Sequence, residues 1–338
     1  MNDARRAGVS RILIVKLSSL GDILHALPAV HHLRLATGAQ IDWVVQSEYA
    51  ELVRGFTDVA RVITTSRRAF VRQLPGLLRE LRRERYDLIV DLQGLLKSAV
   101  VARLARGGKR IGPSFQREGA RLFYDAVAGP RDLKRHAVEQ NLDVVRYLGL
   151  PLLAPEFSVK FPSVTLAGGG RHVGLLPVSR WESKNWPTEH FAALAKGLLE
   201  ADPGLMLYLL GGKEDGVVCG KIATGLPPAR VKNLAGSLSL PELGGTLKAL
   251  HLLIANDSGP VHIAAAVGTP TLVLFGPTEA LRTGPFGAGH RVLRAPLPCA
   301  PCYDRACRRH GEPCLAKLGP GVVLGVAREM LMRPGIIA

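Results

Sequence analysis

Short apolar runs alternate with longer amphipathic stretches along most of the chain, and this alternation limits the fold more than any other feature. Residues 11–16, 41–45 and 88–91 have the continuous hydrophobicity of strands that are covered on both faces. Residues 22–36 and 69–85, which lie between them, have the pattern of helices. Strands that alternate with helices in this way predict a doubly wound α/β domain with a parallel sheet.

The alternation weakens across residues 150–171, where several prolines and three consecutive glycines predict a linker, and then it starts again. We therefore predict two Rossmann-like domains, residues 1–160 and residues 161–338. Two such domains facing a central cleft would present their strand carboxyl ends to it, where ligands of open α/β sheets bind. The last predicted helix, residues 322–332, could also pack back on the first domain. The other elements predicted in the second half are strands at residues 172–176, 205–210, 252–256 and 271–275, and helices at residues 187–202, 214–224 and 260–267.

The chain is strongly basic, with 44 Lys and Arg residues against 28 Asp and Glu and a formal net charge of +16 over 338 residues. We therefore expect an anionic partner, such as nucleic acid, a phosphorylated ligand or an acidic membrane surface. The charge is densest in residues 61–85, which hold eight arginines and two glutamates. Any single arginine there can be a solvated side chain, but the cluster predicts an anion-binding surface, because uncompensated like charges repel each other. A nucleic-acid-binding module is disfavoured by the 5% aromatic content and the absence of the usual recognition motifs.

The sequence also bears on the location of the protein. No apolar run reaches the roughly 18 residues of a transmembrane helix. The first ten residues lead directly into a predicted strand, so we expect no signal peptide. Five cysteines in a chain of this length do not suggest a secreted disulfide scaffold. We therefore expect a soluble cytoplasmic protein that is at most loosely attached to a membrane.

The first candidate site is the turn between the first strand and the first helix, residues 16–22. Ser18, Ser19 and Gly21 predict a tight polar turn at a helix N-terminus, where an anion can bind. Asp22 lies at the start of that helix. It is either a functional carboxylate or simply a cap of the helix, and the residues alone leave both interpretations open.

The second candidate site is the corresponding turn in the second domain, residues 256–262. Ser258 and Gly259 place backbone N–H groups and a hydroxyl at a helix start, an arrangement that suits a pyrophosphate. Asp257 could accept hydrogen bonds from sugar hydroxyls. His262 follows one turn later and is either structural or part of the site.

A third candidate loop, residues 179–187, follows the first predicted strand of the second domain. Its Arg180 and Lys184 can neutralise phosphate charge, although an ordinary surface loop could hold such a basic pair. The place of the loop after a strand carboxyl end favours function. Residues 276–278, at the end of another strand, could add hydroxyl and amide donors.

Several cofactor sites are disfavoured by the sequence. The three glycines at residues 168–170 precede their strand, and neither a G-x-G-x-x-G motif nor a Walker A motif follows one, which argues against a nicotinamide dinucleotide. No Asp-x-Asp pair is present to hold a divalent metal on a nucleotide sugar. The charge of a departing diphosphate would then fall to lysine, arginine and helix N-termini.

A cysteine-rich segment near the C-terminus is the fourth candidate. Cys299 and Cys302 have the two-residue spacing of zinc ligands, and Cys307, His310 and Cys314 follow. The spacings are not those of a standard zinc finger. We therefore favour a loop of reduced thiols over a structural zinc site.

At these motifs the sequence resembles the ADP-heptose:lipopolysaccharide heptosyltransferases, which have the two-domain GT-B fold. The N-terminal motifs are most similar to those of heptosyltransferase I, which adds the first heptose to the Kdo region of lipid A. The cysteine-rich segment is more similar to that of heptosyltransferase II. The matching motifs are residues 14–25, 91–98, 136–139, 180–187, 257–262 and 275–278.

The resemblance implies an inverting, metal-independent transfer of heptose from ADP-heptose to the inner core of lipopolysaccharide, at the inner face of the cytoplasmic membrane. It implies no cofactor other than this substrate, an acceptor-binding first domain and a donor-binding second domain. The catalytic residues that it implies are Asp22, as the base, and Lys184. The implied donor-binding residues are Ser179, Arg180, Lys184, Leu238, Asp257, Ser258, Gly259 and His262. The implied acceptor-binding residues, which would meet the acidic Kdo and phosphate groups of lipid A–Kdo, are Ser19, Gly21, Arg67, Arg68, Arg72, Lys97 and Arg117.

Other functions stay open on the sequence alone. Heptosyltransferase II and another GT-B nucleotide-sugar transferase are alternatives of the same class. A nucleotide-sugar epimerase needs no second sugar, so it would form product from the donor alone. An inactive lipopolysaccharide-binding scaffold is disfavoured because both Asp22 and Lys184 are present.

Overall fold

The chain divides into two compact units between Lys160 and Phe161. The computed structural model describes residues 8–66, 70–295, 297–307 and 314–332. Each unit contains one six-stranded sheet, and every pair of neighbouring strands within the two sheets is parallel. The α/β class predicted from the alternation of strands and helices is therefore confirmed.

The first unit is built on six strands. They are β1 (Arg11–Val15), β2 (Gln40–Gln46), β3 (Val59–Thr65), β4 (Tyr86–Asp91), β5 (Gly107–Pro113) and β6 (Ala126–Ala128). Its helices are α1 (Leu20–Thr37), α2 (Ala50–Arg54), α3 (Phe70–Arg82), α4 (Leu96–Leu104), α5 (Ala137–Asn141) and α6 (Asp143–Tyr147). The strand order β3-β2-β1-β4-β5-β6 is that of a Rossmann-type sheet.

Strand β1 shows why the apolar runs form the centre of the sheet. Its residues Ile12, Leu13, Ile14 and Val15 have no exposed surface. It pairs with β2 on one side and β4 on the other, so both edges and both faces are covered. Burial on both faces is what a parallel sheet requires of a continuous apolar strand.

Helix α3 carries three of the eight arginines of the basic cluster. Its Leu77 and Leu81 are buried in the core of the first unit, whereas Arg72, Arg79 and Arg82 are exposed. The basic face of α3 is thus a charged surface on a helix that is anchored by its apolar face.

In the ranges that the structure describes, no helix is both long enough and apolar enough to cross a membrane.

The second unit repeats the same topology. Its strands are β7 (His172–Leu176), β8 (Met206–Leu209), β9 (Val231–Asn233), β10 (Leu252–Asn256), β11 (Thr271–Phe275) and β12 (Arg291–Arg294). Its helices are α7 (Thr188–Ala201), α8 (Gly216–Ala223), α9 (Leu240–Lys248), α10 (Gly259–Ala266), α11 (Ala280–Thr283) and α12 (Pro320–Met332). The order β12-β11-β10-β7-β8-β9 is the Rossmann order again, seen from the other edge.

Two details of this unit refine the predicted elements. Pro187 is not the first residue of α7, because its ψ of 140° is extended and the helix begins at Thr188. Helix α12 packs within the second unit, where Val323 and Ala327 belong to the hydrophobic core. Its neighbour in the unit is α7, since the two helices are in contact.

In each sheet the strand order reverses between two central strands. These are β1 and β4 in the first unit and β7 and β10 in the second. The loops that leave the carboxyl ends of such a pair diverge, and the space between them is where doubly wound sheets bind ligands. All four loops contain the polar motifs that the sequence singled out, so the fold places these motifs at its natural binding positions.

Candidate active site

In the first unit the carboxylate of Asp22 lies in the first turn of α1. The backbone N–H and the hydroxyl of Ser19 donate hydrogen bonds to its Oδ2, at 3.0 Å and 2.8 Å. Asp22 therefore helps to cap the N-terminus of α1, which is one of the two interpretations that the sequence left open. Both bonds use the same oxygen, and Oδ1 accepts none from the described part of the chain, so it can still accept a proton from another molecule.

The loop before Asp22 is tied to the loop after β4. The side-chain oxygen of Gln93 accepts hydrogen bonds from the N–H groups of Leu17 and Ser18, both at 3.1 Å. The buried Lys16 ammonium donates to the carbonyl of Leu92 at 2.6 Å. Burial lowers the pKa of Lys16, and the nearby carboxylates of Asp22 and Asp91 partly oppose this shift. Lys16 and Gln93 both lie in segments that the sequence analysis named, residues 16–22 and 91–98, but it gave neither a role of its own.

Two of the expected acceptor-binding residues, Lys97 and Arg117, lie in or beside loops that are in contact. Lys97 is the second residue of α4, and the backbone N–H of Arg117 donates to the carbonyl of Gly94 at 2.8 Å. Gly94 has a φ of +71°, and a Cβ there would lie 2.8 Å from the side chain of Pro113. Only glycine fits this turn, which brings the loops after β4 and β5 together.

The other expected acceptor residues fall in three places. Ser19 and Gly21 form the turn that holds Asp22. Arg72 is exposed on α3. Arg67 and Arg68 lie outside the described residues.

The second unit brings a cation, a carboxylate and a hydroxyl together. The ammonium of Lys184 lies 2.6 Å from Oδ2 of Asp257, and the hydroxyl of Thr278 donates to the same oxygen at 2.5 Å. Both members of the ion pair are largely buried, with side chains 15% and 8% exposed. The three residues come from the loops after β7, β10 and β11, which are neighbouring strands of the sheet. Residues almost a hundred positions apart in the sequence are therefore in contact.

The loop that carries Lys184 is fixed by hydrogen bonds at both ends. The hydroxyl of Ser179 donates to the carbonyl of Asp257 at 2.9 Å. Asn256, which is completely buried, accepts from the N–H of Trp186 at 3.2 Å and donates to the carbonyl of Pro177 at 2.6 Å. Asn256 is a positioning residue, to which the sequence analysis gave no role although it lies in the candidate segment 256–262.

Helix α10 begins beside this cluster without a side-chain cap. Ser258 is its N-cap residue but makes no capping hydrogen bond, and its buried hydroxyl oxygen has no partner among the described residues. Gly259 is the first helical residue, and His262 is buried one turn further on. An uncapped helix start with an unused hydroxyl is suited to an anionic group, because the helix dipole and free N–H groups favour negative charge there.

Two expected donor-binding residues are less closely connected to this cluster. Arg180 is exposed on the Lys184 loop. Leu238 is half-buried just before α9, whose N-cap is Ser239. Within the described residues, the hydrogen bonds around Asp257 do not reach either of them.

The structure describes four cysteines of the cysteine-rich segment, Cys299, Cys302, Cys307 and Cys314, but not the residues from 308 to 313. No group of three or more His, Cys, Asp or Glu side chains in the described part of the chain is arranged to hold a metal ion, and this covers the four cysteines. His310 lies outside the described residues. The zinc site therefore stays a prediction; the Sγ of Cys314 lies close to Gly276, 2.8 Å from where a Cβ would be. Burial, together with the neighbouring thiols, raises the pKa of Cys314.

The two units thus offer complementary chemistry at equivalent places in their sheets. The first has a carboxylate that can accept a proton, and the second has a cation and a helix start that can hold a diphosphate. Two doubly wound α/β units with these sites are typical of glycosyltransferases of the GT-B class.

Comparison with known proteins narrows this class to one family. The chain belongs to glycosyltransferase family 9 (heptosyltransferase), whose family model matches residues 76–311. It is 32% identical to lipopolysaccharide heptosyltransferase 1 of Pseudomonas aeruginosa over 96% of this chain and 99% of the relative. A structure of the Escherichia coli heptosyltransferase WaaC with ADP is 29% identical, with a TM-score of 0.80 over 95% of this chain and 99% of that one. A structure of WaaC with ADP-2-deoxy-2-fluoro heptose is 28% identical, with a TM-score of 0.77 over 94% and 99% of the two chains.

Proposed function

We propose that this enzyme transfers heptose from ADP-heptose to the Kdo region of the lipopolysaccharide inner core, with inversion at the anomeric carbon and without a metal ion. The observation that carries the proposal is the Lys184–Asp257 pair beside the uncapped start of α10. The relatives support the substrates: the WaaC structures hold ADP and an ADP-heptose analogue, and the Pseudomonas relative is a lipopolysaccharide heptosyltransferase 1.

In the proposed reaction the acceptor hydroxyl attacks the anomeric carbon of the heptose. Its proton passes to Asp22, and the bond from that carbon to the diphosphate oxygen breaks, so that ADP leaves with the electron pair. The anomeric carbon gains oxocarbenium character as the bond breaks. Lys184, the N–H of Gly259 at the start of α10 and the hydroxyl of Ser258 stabilise the charge that builds on the diphosphate.

The remaining donor contacts follow from the same arrangement. Oδ2 of Asp257 is used by Lys184 and Thr278, which leaves Oδ1 to accept a hydrogen bond from a sugar hydroxyl of the donor. Ser179, Arg180, Gly259, His262 and Leu238 complete the donor site in this proposal. The first unit would bind the acceptor.

We also propose that the acceptor is met at the inner leaflet of the cytoplasmic membrane. The carboxylates of Glu80 and Glu84 are paired with Arg61 and Arg11, so they do not neutralise the exposed arginines nearby. These arginines can attract acidic Kdo groups and the phosphates of lipid A. The exposed arginines of this region are Arg72, Arg79, Arg82, Arg83 and Arg85.

The test is a transfer assay with the purified enzyme and ADP-heptose. Two acceptors are compared, lipid A–Kdo and lipid A–Kdo that already carries one heptose, each with and without EDTA. Product identified by mass spectrometry on the first acceptor, unchanged by EDTA, is the expected result. Transfer only to the second acceptor would indicate heptosyltransferase II activity. A new sugar formed from the donor alone would indicate an epimerase, and loss of activity in EDTA would disprove metal independence.

A further inference from the structure

The loop of residues 297–307 is fastened directly to the donor-site loops. The backbone N–H of Tyr303 donates to the carbonyl of Pro277 at 2.9 Å. The buried Ser183 makes two bonds to the loop: its hydroxyl donates to the carbonyl of Asp304 at 2.6 Å, and its N–H donates to the carbonyl of Arg305 at 3.1 Å. The loop is therefore held in place one residue away from Lys184.

This attachment brings a second cation to the indole that contacts Lys184. The guanidinium carbon of Arg305 lies 5.4 Å from the centre of the Trp181 ring, and the ammonium of Lys184 lies 4.6 Å from it. The two cations are therefore no more than about 10 Å apart, roughly one Debye length at an ionic strength of about 0.1 M. They can act on the same anion.

The two cations differ in how their charge is compensated. Lys184 is paired with the carboxylate of Asp257, whereas Arg305 is exposed and forms no ion pair with any residue that the structure describes. A diphosphate carries more than one negative charge. Because Asp257 partly neutralises the charge of Lys184, another cation beside Lys184 can help to balance such a ligand.

We propose that Arg305 is a further donor-binding residue, which binds the diphosphate of the nucleotide-sugar together with Lys184. This inference rests on the proposed function, because it assigns a role within the same donor site. An arginine suits that role, since its planar guanidinium can donate two parallel hydrogen bonds to a phosphate. The Trp181 ring would orient the guanidinium by a cation–π contact.

The side chain can be changed without releasing the loop, because the bond from Ser183 uses the backbone carbonyl of Arg305. Binding of ADP is measured by titration calorimetry for the wild type, Arg305→Gln and Arg305→Lys. The control is Arg328→Gln, which removes the same charge from an exposed position on α12. We expect Arg305→Gln to weaken ADP binding about tenfold, Arg305→Lys to recover part of this loss, and Arg328→Gln to have no effect. The loss in Arg305→Gln should shrink at high salt, as expected for an exposed charge.

The outcomes separate the two proposals. If the wild type binds ADP and transfers heptose while Arg305→Gln binds ADP as tightly as the wild type, Arg305 has no donor-binding role and the proposed function stands. If Arg328→Gln loses as much ADP affinity as Arg305→Gln, the effect is due to the net charge of the protein and the assignment of Arg305 is overturned. If the wild type itself does not bind ADP, the proposed function and the role of Arg305 both fail.

Discussion

The ammonium of Lys184 lies 2.6 Å from a carboxylate oxygen of Asp257, and three strands of the second sheet are needed to bring this pair and Thr278 together. The pair has a structural consequence as well as a functional one. A largely buried carboxylate needs a partner, and a largely buried ammonium held next to an uncapped helix start is ready to share its charge with an incoming anion.

Replacing Lys184 with methionine keeps the length of the side chain and removes its charge. We expect kcat/KM for ADP-heptose to fall by about 10²-fold, because a positioned cation that stabilises a leaving diphosphate is lost. The assay is initial-rate kinetics at varied donor concentration. The matched control is Lys196→Met on α7, an exposed lysine that lies 3.9 Å from Glu200. If kcat/KM of Lys184→Met lies within threefold of the Lys196→Met value, Lys184 has no catalytic role.

Replacing Asp22 with asparagine separates its two roles. The asparagine keeps an oxygen that can accept hydrogen bonds from Ser19, so the start of α1 should survive with a loss of about 1 kcal/mol or less. The proton acceptor is lost, so we expect kcat to fall by at least about 10²-fold. ADP affinity should stay unchanged, since the proposed donor site is in the second unit.

The control for this variant is Asp132→Asn, an exposed carboxylate of the same unit. Turnover and ADP binding are measured on both proteins. If Asp22→Asn turns over at a near-normal rate, the carboxylate of Asp22 only caps the helix.

Asn256 is expected to matter for stability, because it satisfies two backbone groups in a buried position. In Asn256→Ala the N–H of Trp186 and the carbonyl of Pro177 both lose their partner. Each buried group left unsatisfied costs about 1–3 kcal/mol, so we expect a total loss of about 3 kcal/mol in urea denaturation. The exposed Asn233→Ala on β9 serves as the comparison and should cost less than about 1 kcal/mol. Equal midpoints for the two variants would contradict the role of Asn256.

The elements that the sequence predicted best are those whose pattern reflects burial on both faces. The strands β7, β10 and β11 have the bounds that the apolar runs indicated. Strand β5 was not predicted, because its first residues are two glycines, a lysine and an arginine. A Cβ at Gly107 would lie 2.3 Å from the carbonyl oxygen of Tyr86, so β5 can approach β4 only because this residue is glycine. The pattern of hydrophobic residues gives no sign of this close approach.

The residues of the candidate site also differ in how far the sequence could predict them. Asp22, Lys184 and Asp257 could be selected because polar residues that follow an apolar strand stand at the binding edge of a parallel sheet. Asn256 and Arg305 could not, because their importance lies in contacts with residues far along the chain. The bond from Ser183 to Asp304, for example, joins positions 121 residues apart. Pairings of this kind are set by the packing of loops and leave no local pattern.

Cys219 should resist alkylation, in contrast to the half-buried thiols of the loop at residues 299–307. Burial, aided by the charge of Asp215, raises its pKa to about 11, so only about one part in a thousand is thiolate at pH 8. We expect iodoacetamide at pH 8 to modify Cys299 and Cys302 while Cys219 stays unmodified in peptide mass spectra. In urea all five cysteines should react. Rapid modification of Cys219 in the folded protein would contradict its burial.

The exposed arginines in and after α3 should bind an anionic membrane surface. Each basic residue near such a surface contributes about 1 kcal/mol, so the double variant Arg79→Glu/Arg83→Glu should bind vesicles containing phosphatidylglycerol at least about tenfold more weakly at low salt. The matched control, Lys196→Glu/Arg328→Glu, makes the same charge change on α7 and α12 of the second unit. Binding is measured by vesicle sedimentation at low and high salt, with neutral phosphatidylcholine vesicles for comparison. Because screening removes the attraction, the difference between the variants should disappear at high salt. Equal weakening by both double variants would mean that net charge, and not the α3 surface, holds the protein at the membrane.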